Sequence, residues 1–201
     1  MPGRVKKNRK PQKNQQGSFR IIGGEHRSRR LGFPEVEGLR PTTDRVRETV
    51  FNWLQNAISG ARVLDLFSGS GALGFEAASR GASEVQFVEL NPAAYKSLCQ
   101  NKELLGVKAD IAHEDALGFL QKQAEGSRGF DIIFLDPPFR LGLMAEVLDL
   151  LESNDLLAPD ALIYMETEAE LSSLVVPASW QELKAKKAGQ VSYRLFQAAA
   201  R

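Results

Sequence analysis

The sequence predicts an α/β fold, a largely parallel sheet covered by helices on both faces and closed by an antiparallel hairpin. Three observations predict it. From residue 61 onward, short apolar runs alternate with amphipathic stretches, the pattern of repeated β-α-β units. The apolar runs are nearly continuous rather than alternating, as expected of strands buried on both faces. The last two strand-like runs meet directly at Gly189 with no helix between them, so they must lie antiparallel.

Each element follows in order. Residues 19–41 read as short strands around a Gly23-Gly24 turn, with several arginines exposed. Pro41, Thr42, Thr43 and Asp44 are a helix-start signal, and Val46, Val50, Leu54 and Ala57 continue at helical spacing until Gly60. Strands are then expected over 62–67, 84–90, 107–113, 130–136 and 161–167, and helices over 72–81, 92–106, a short stretch after Asp115, and 142–153. The 142–153 helix sets Leu143, Val147, Leu150 and Leu151 on one face. Residues 180–188 and 190–198 form the closing hairpin, which adds an antiparallel strand at the sheet edge.

With 201 residues, 43% of them hydrophobic, the chain can bury one domain of ordinary size and no more. Residues 1–17 read as a basic, disordered tail, 18–40 as a small β-hairpin appendage facing a partner, and 41–201 as the main domain. No stretch suits a membrane span or a secretory leader, so a cytoplasmic protein is expected. Cys99 is the single cysteine and His26 and His113 the two histidines, which excludes a disulfide framework and a Cys/His zinc site. Cys99 is expected to be a buried, small apolar residue. A net charge of +1 conceals an asymmetry, because residues 1–30 carry +9 and the remainder −8. A cationic arm on an acidic body points to a polyanionic partner.

The chemistry concentrates in two motifs. In VLDLFSGSGALG, residues 63–74, a strand, a glycine turn and a helix let backbone amides approach a ligand closely. Gly69, Gly71 and Gly74 also satisfy the dinucleotide fingerprint of a dehydrogenase. Asp65 ahead of the turn argues against that rival, since a carboxylate there suits a cationic ligand and not a pyrophosphate. Glu89, 18 residues beyond Gly71, is placed to accept hydrogen bonds from ribose hydroxyls. Asp115 could accept from an adenine amino group or simply cap a helix.

The second motif is DPPF, Asp136 to Phe139, directly after an apolar strand. An exocyclic base amine is a poor nucleophile because its lone pair is delocalised into the ring. The Asp136 carboxylate and the Pro137 carbonyl could each accept one amine hydrogen, with Pro137 and Pro138 fixing the backbone and Phe139 offering a face for the base to stack on. No metal is needed, because in-line geometry toward an already activated methyl group does most of the work.

With DLFSGSGALGFEAASRGA, FVELNP and DPPF in this order, the chain resembles the class I methyltransferases that modify base amines. RPTTDRVRETVFNWL before them and GQVSYRLF after them are similar to one family, the bacterial small-subunit rRNA (guanine-N2)-methyltransferase D, from about Phe19 to Phe196. The resemblance implies a Rossmann-like, seven-stranded sheet with the last strand antiparallel, S-adenosylmethionine as methyl donor, and the N2 amine of guanine 966 in 16S rRNA as acceptor. It implies action on the assembled small ribosomal subunit, and a monomer is expected. It assigns cofactor contacts to Asp65, Ser68, Gly69, Ser70, Gly71, Glu89, Leu90, Asn91, Asp115 and Ala116, and the reaction centre to Asp136, Pro137, Pro138 and Phe139. Arg20, His26, Arg27, Arg29, Arg30, Arg40 and Arg45 are the candidate RNA contacts, because they cluster before the main domain and guanidinium suits phosphate. The motif also serves adenine-N6 methylation of RNA or DNA, and a non-catalytic RNA-binding module is the rival of another class.

Overall fold

The computed structural model describes residues 16–36, 42–123, 128–138, 142–154, 156–168 and 175–199. The expected basic tail up to residue 15 falls outside them.

An antiparallel pair opens the chain: β1 (Gln16–Arg20) and β2 (Arg30–Pro34), in register from Gln16 opposite Pro34 to Arg20 opposite Arg30. β1 thus begins inside the stretch expected as tail. Gly17 makes this possible, since a Cβ there would lie 2.4 Å from the Phe33 ring that folds over the strand. The helix α1 (Asp44–Trp53) follows, capped by Thr43, whose side chain accepts from the Val46 amide. It stops earlier than its apolar spacing suggests. Leu54 closes it, Ala57 is exposed and Ile58 is buried instead, as the chain turns toward Gly60, whose φ is 77°.

Then come β3 (Arg62–Asp65), α2 (Ala72–Ser79), β4 (Glu84–Val88), α3 (Pro92–Leu105), β5 (Ala109–Ala112), α4 (Ala116–Gln121), β6 (Phe130–Leu135), α5 (Met144–Ser153), β7 (Leu157–Glu168), β8 (Trp180–Ala188) and β9 (Val191–Ala198). One seven-stranded sheet has the order β5-β4-β3-β6-β7-β9-β8, with the first five strands parallel and β9 antiparallel to both β7 and β8. The closing hairpin therefore does more than cover an edge: β9 sits inside the sheet and β8 is the edge strand. β7 begins four residues before the expected start. Leu157 pairs with Phe130, and a register shift follows, with Asp160 at φ 59°.

Alternate residues of the central strands feed two cores. Val63, Phe134 and Tyr164 face α1, α2 and α3, together with Phe19, Ile21, Leu31 and Phe33 of the β1–β2 pair. Leu64, Ile133 and Ile163 face the other way, against Phe119 of α4, Val147 and Leu151 of α5, and Trp180. Cys99 lies half-buried on α3, not buried as expected, because the inward positions of that helix fall to Ala94, Ser97, Leu98 and Asn101.

The β1–β2 pair is held by buried charge as well as by apolar contact. Glu76, fully buried on α2, accepts from the amides of Ile22 and Gly23, both at 2.8 Å, and from Arg80 Nε at 2.7 Å. Arg47, also fully buried, places Nη1 3.5 Å from Glu76 Oε2 and donates through Nη2 to the Arg20 carbonyl and to Asp44. Ser79 Oγ donates to the Gly23 carbonyl and accepts from the His26 amide. Gly24 lies so close to α2 that a Cβ would sit 1.8 Å from the Ser79 carbonyl oxygen.

Candidate active site

The strand order reverses between β3 and β6, where open parallel sheets bind ligands at the carboxyl ends of their strands. The proposed cofactor loop lies there. Gly69 and Gly71 have φ of 52° and 77°, and a Cβ on Gly71 would meet Leu98 Cδ2 at 2.6 Å. Gly74 is required for packing, since a Cβ there would lie 2.2 Å from the Phe87 ring. Ser68 Oγ donates to the Asp65 carbonyl and accepts from the Val88 amide, so its hydroxyl joins the ends of β3 and β4. Ser70 is buried beside it.

Glu89 stands at the end of β4, half-buried, with Oε2 accepting from the Gly69 amide and Oε1 from the Asn91 amide, both at 2.7 Å. Each oxygen retains a lone pair, so the carboxylate is fixed in place and still able to accept from two hydroxyls. Asn91 is engaged as the cap of α3, accepting from Ala93 and Ala94. Leu90 next to Glu89 is 64% exposed, an apolar surface at the mouth of the loop. Asp115 caps α4 by accepting from the Gly118 amide at 2.8 Å, and remains exposed, while Ala116 is buried.

Asp65 is 2% exposed, and its Oδ2 accepts from the Gly74 amide at 2.9 Å, tying β3 to the first turn of α2. Burial, opposed by that hydrogen bond and reinforced by the nearby Glu89 charge, raises its pKa to about 7. Asp136 follows β6 and accepts from Thr42 Oγ1 at 3.3 Å. Leu135 pairs with Met165, so the next residues along the two parallel strands, Asp136 and Glu166, stand side by side on the sheet face that carries Phe134 and Tyr164. Glu166 is 6% exposed and accepts from the Tyr164 hydroxyl at 2.6 Å. Burial, then the charges of Glu166 and Asp65, push the Asp136 carboxyl well above its usual range; burial also raises Glu166.

Asp65, Asp136 and Glu166 thus form a row of acids across β3, β6 and β7 on one face. Among the described residues, no lysine or arginine forms an ion pair with any of them. Such a row is costly unless a cation comes to it, and the glycine cradle, the fixed Glu89 and the exposed Leu90 beside it fit S-adenosylmethionine, which carries positive charge on sulfur and on its amino group. Glu166 and its partner Tyr164 were not apparent from the sequence. An apolar strand ending in Glu carries no local sign that the strand next to it ends in Asp.

Pro137 is half-buried and Pro138 exposed after Asp136. Phe139 and Arg40 lie outside the described residues. Of the candidate RNA contacts, Arg27, Arg29 and Arg30 are exposed in the β1–β2 region, His26 is half-buried, and Arg45 is exposed in the first turn of α1. Arg20 is 56% exposed and lies 3.7 Å from Asp44 at the start of α1.

The family described as Conserved hypothetical protein 95 matches residues 19–197. A ribosomal RNA small subunit methyltransferase D of Escherichia coli is 47% identical over 190 residues, covering 94% of each chain. The solved structure of the Escherichia coli methyltransferase yhhF superposes with a TM-score of 0.84 at 46% identity, covering 92% of this chain and all of that one. A Thermus thermophilus 16S rRNA N2 G1207 methyltransferase, solved with S-adenosylmethionine and guanosine, superposes at 0.64 with 25% identity over 93% of this chain and 50% of the other. The chain is a class I, S-adenosylmethionine-dependent methyltransferase and belongs to the Conserved hypothetical protein 95 family, alongside the ribosomal RNA small subunit methyltransferases D.

Proposed function

We propose that the enzyme methylates the N2 amine of a guanine in 16S rRNA, acting as a monomer in the cytoplasm on the assembled small subunit. The observation that carries this reading is the acid row at the switch point, with Asp136 held between Thr42 and Glu166. The cofactor supplies an electrophilic methyl group. The protein's own residues do the rest. Asp136 accepts a hydrogen from the base amine, localising the nitrogen lone pair, and takes up the proton that the nitrogen loses on gaining the methyl group. Glu89 holds the cofactor ribose, and the glycine turn leaves room for the rest of the cofactor beside Asp65. The exposed arginines from Arg20 to Arg45 position the RNA by its phosphates. The likeness to an enzyme named for guanine N2 supports N2 over adenine N6. Among the described residues no helix is long and apolar enough to cross a membrane.

Mapping methylated nucleotides in 16S rRNA from a strain lacking the protein is the test. Loss of a single N2-methylguanine is expected, restored by the purified enzyme on small subunits and much less on naked 16S rRNA. An unchanged methylation map would overturn the reading.

Two further outcomes are expected. Glu89→Ala should weaken S-adenosylmethionine binding by about 2–4 kcal/mol, since it removes a charged acceptor from two hydroxyls and frees the Gly69 and Asn91 amides. Calorimetry that finds unchanged affinity would put the ribose elsewhere. Deleting residues 1–15 removes six basic side chains and no acidic one, while sparing β1. Cofactor affinity and the target nucleotide should stay the same. If three of those charges meet phosphate, the slope of log affinity for small subunits against log salt should become shallower by about 2. An unaltered slope would show that the tail contributes nothing to RNA binding.

A further inference from the structure

The β8–β9 hairpin brings cations to the active end of the sheet on the side away from the β1–β2 pair. Residues 181–190 are all exposed, because β8 is the edge strand and the turn at Gly189 projects past its neighbours. Val191 pairs with Glu168, the last residue of β7, so the hairpin tip lies at the same end of the sheet as Asp136 and Glu166. Lys186 pairs with Tyr193, and Tyr193 pairs with Glu166, which sets Lys186 on the face of the sheet that carries the acid row.

Between this tip and the first turns of α1 runs a groove of about 450 Å³, lined chiefly by Thr43, Arg45, Thr49, Lys186, Lys187 and Tyr193, with no acidic side chain in its wall. Among the described residues, no ion pair holds Arg45, Lys184, Lys186 or Lys187, whereas the nearby acids are engaged, Asp44 by Arg20 and Arg47 and Glu182 by Arg194. Thr43 Oγ1 accepts from the Val46 amide, which leaves its hydroxyl hydrogen for another acceptor. The groove starts one residue from Thr42, the residue that donates to Asp136.

The start of α1 therefore separates two cationic surfaces. Arg20 approaches it from one side, and Lys186 and Lys187 from the other. Drawing one base out of its stack costs a few kcal/mol, and a positively charged groove that tracks the backbone through phosphate contacts fixes the strand's register while the base is out. We propose that the β8–β9 tip, together with Arg45 and Thr43, is a phosphate-binding surface that holds the single-stranded rRNA backbone on the side of the target opposite the β1–β2 pair. The proposal rests on the rRNA reading above. Lysine ammoniums and hydroxyls grip phosphate without reading sequence, so this surface fixes the register of the strand over Asp136 and leaves the choice of base to the site.

The test uses the full chain and unmethylated small-subunit rRNA in filter-binding salt titrations, comparing wild type with K184A/K186A/K187A. These side chains are exposed, and an unchanged melting temperature and cofactor affinity check that the fold is intact. The salt slope is expected to become shallower by about 2, using roughly 0.7 per single-strand phosphate. A control, K96A/K102A, removes two cations from α3 and should leave the slope near wild type. An unaltered slope in the triple variant, or equal flattening per charge in the control, overturns the proposal. Wild-type methylation is assayed in parallel on small subunits from a strain lacking the protein. An enzyme that binds steeply but methylates no guanine N2 refutes the functional reading alone, because the surface is judged on the slopes.

Discussion

Asp136→Ala is expected to lower the methyl-transfer rate about 10²-fold or more while S-adenosylmethionine binds nearly as before. The carboxylate acts on the acceptor amine, so its loss removes stabilisation that develops in the transition state and little that holds the cofactor. The pH profile provides the second readout. Asp136 must be ionised to accept the amine hydrogen, and burial, then Glu166 and Asp65, hold its carboxyl well above the ordinary range. Activity in the wild type should therefore fall with falling pH from a point above that of a normal carboxylate. Glu166→Gln keeps an oxygen for the Tyr164 hydroxyl and removes one neighbouring charge, so it should move this acid limb to lower pH. Single-turnover rates from pH 5 to 9 measure both. Near-normal turnover in Asp136→Ala would defeat the assignment.

Glu76→Ala should cost about 3–5 kcal/mol of stability, because it strips the acceptor from two backbone amides and from Arg80 Nε and leaves the fully buried Arg47 guanidinium with the half-exposed Asp44 as its remaining counter-charge. For a chain of this size that is a fall of roughly 6–20 °C in melting temperature. Glu76→Gln should cost less, since an oxygen remains for one amide. Thermal unfolding of the three proteins decides it, and a loss below about 1 kcal/mol for alanine would mean that water or a rearranged Arg47 takes over the contacts. The destabilised protein should lose RNA affinity before cofactor affinity, as the segment carrying Arg20, Arg27, Arg29 and Arg30 is the part that Glu76 anchors.

The elements visible in the sequence were those with a period or a cap. The helix after Asn91-Pro92 and its Gly106 end, the glycine turn and the strand into Asp136 are all where the local pattern puts them. The differences come from forces with no local period. β7 extends back through Pro159 and Asp160 because Leu157 finds a partner in Phe130 across a register shift. α1 stops at Trp53 although apolar spacing continues, because Ile58 takes the buried position that Ala57 was expected to fill. In the site, Asp136 and Glu89 could be read from the motifs. The Ser68 hydroxyl joining two strands, the Arg47–Glu76 pair and the approach of Glu166 to Asp136 depend on residues about 20 to 30 apart in sequence, where only topology brings them together.

The position of β9 has a consequence for how the enzyme is made. It is the last of the seven strands to be synthesised, yet it lies between β7 and β8. Until residues 191–198 emerge, β7 presents an open, apolar edge and β8 has nothing to pair with, a state prone to misassembly. The same strand brings Tyr193 against Glu166 and Tyr164. A growing chain can therefore build its cofactor cradle early, from β3, α2 and β4, but its acceptor side is completed only by its final strand. The maturation order of the two half-sites is written into the connectivity, and a chain cut short before residue 191 would hold Asp136 and Glu166 but lack the Tyr193 ring and the strand that pack against them.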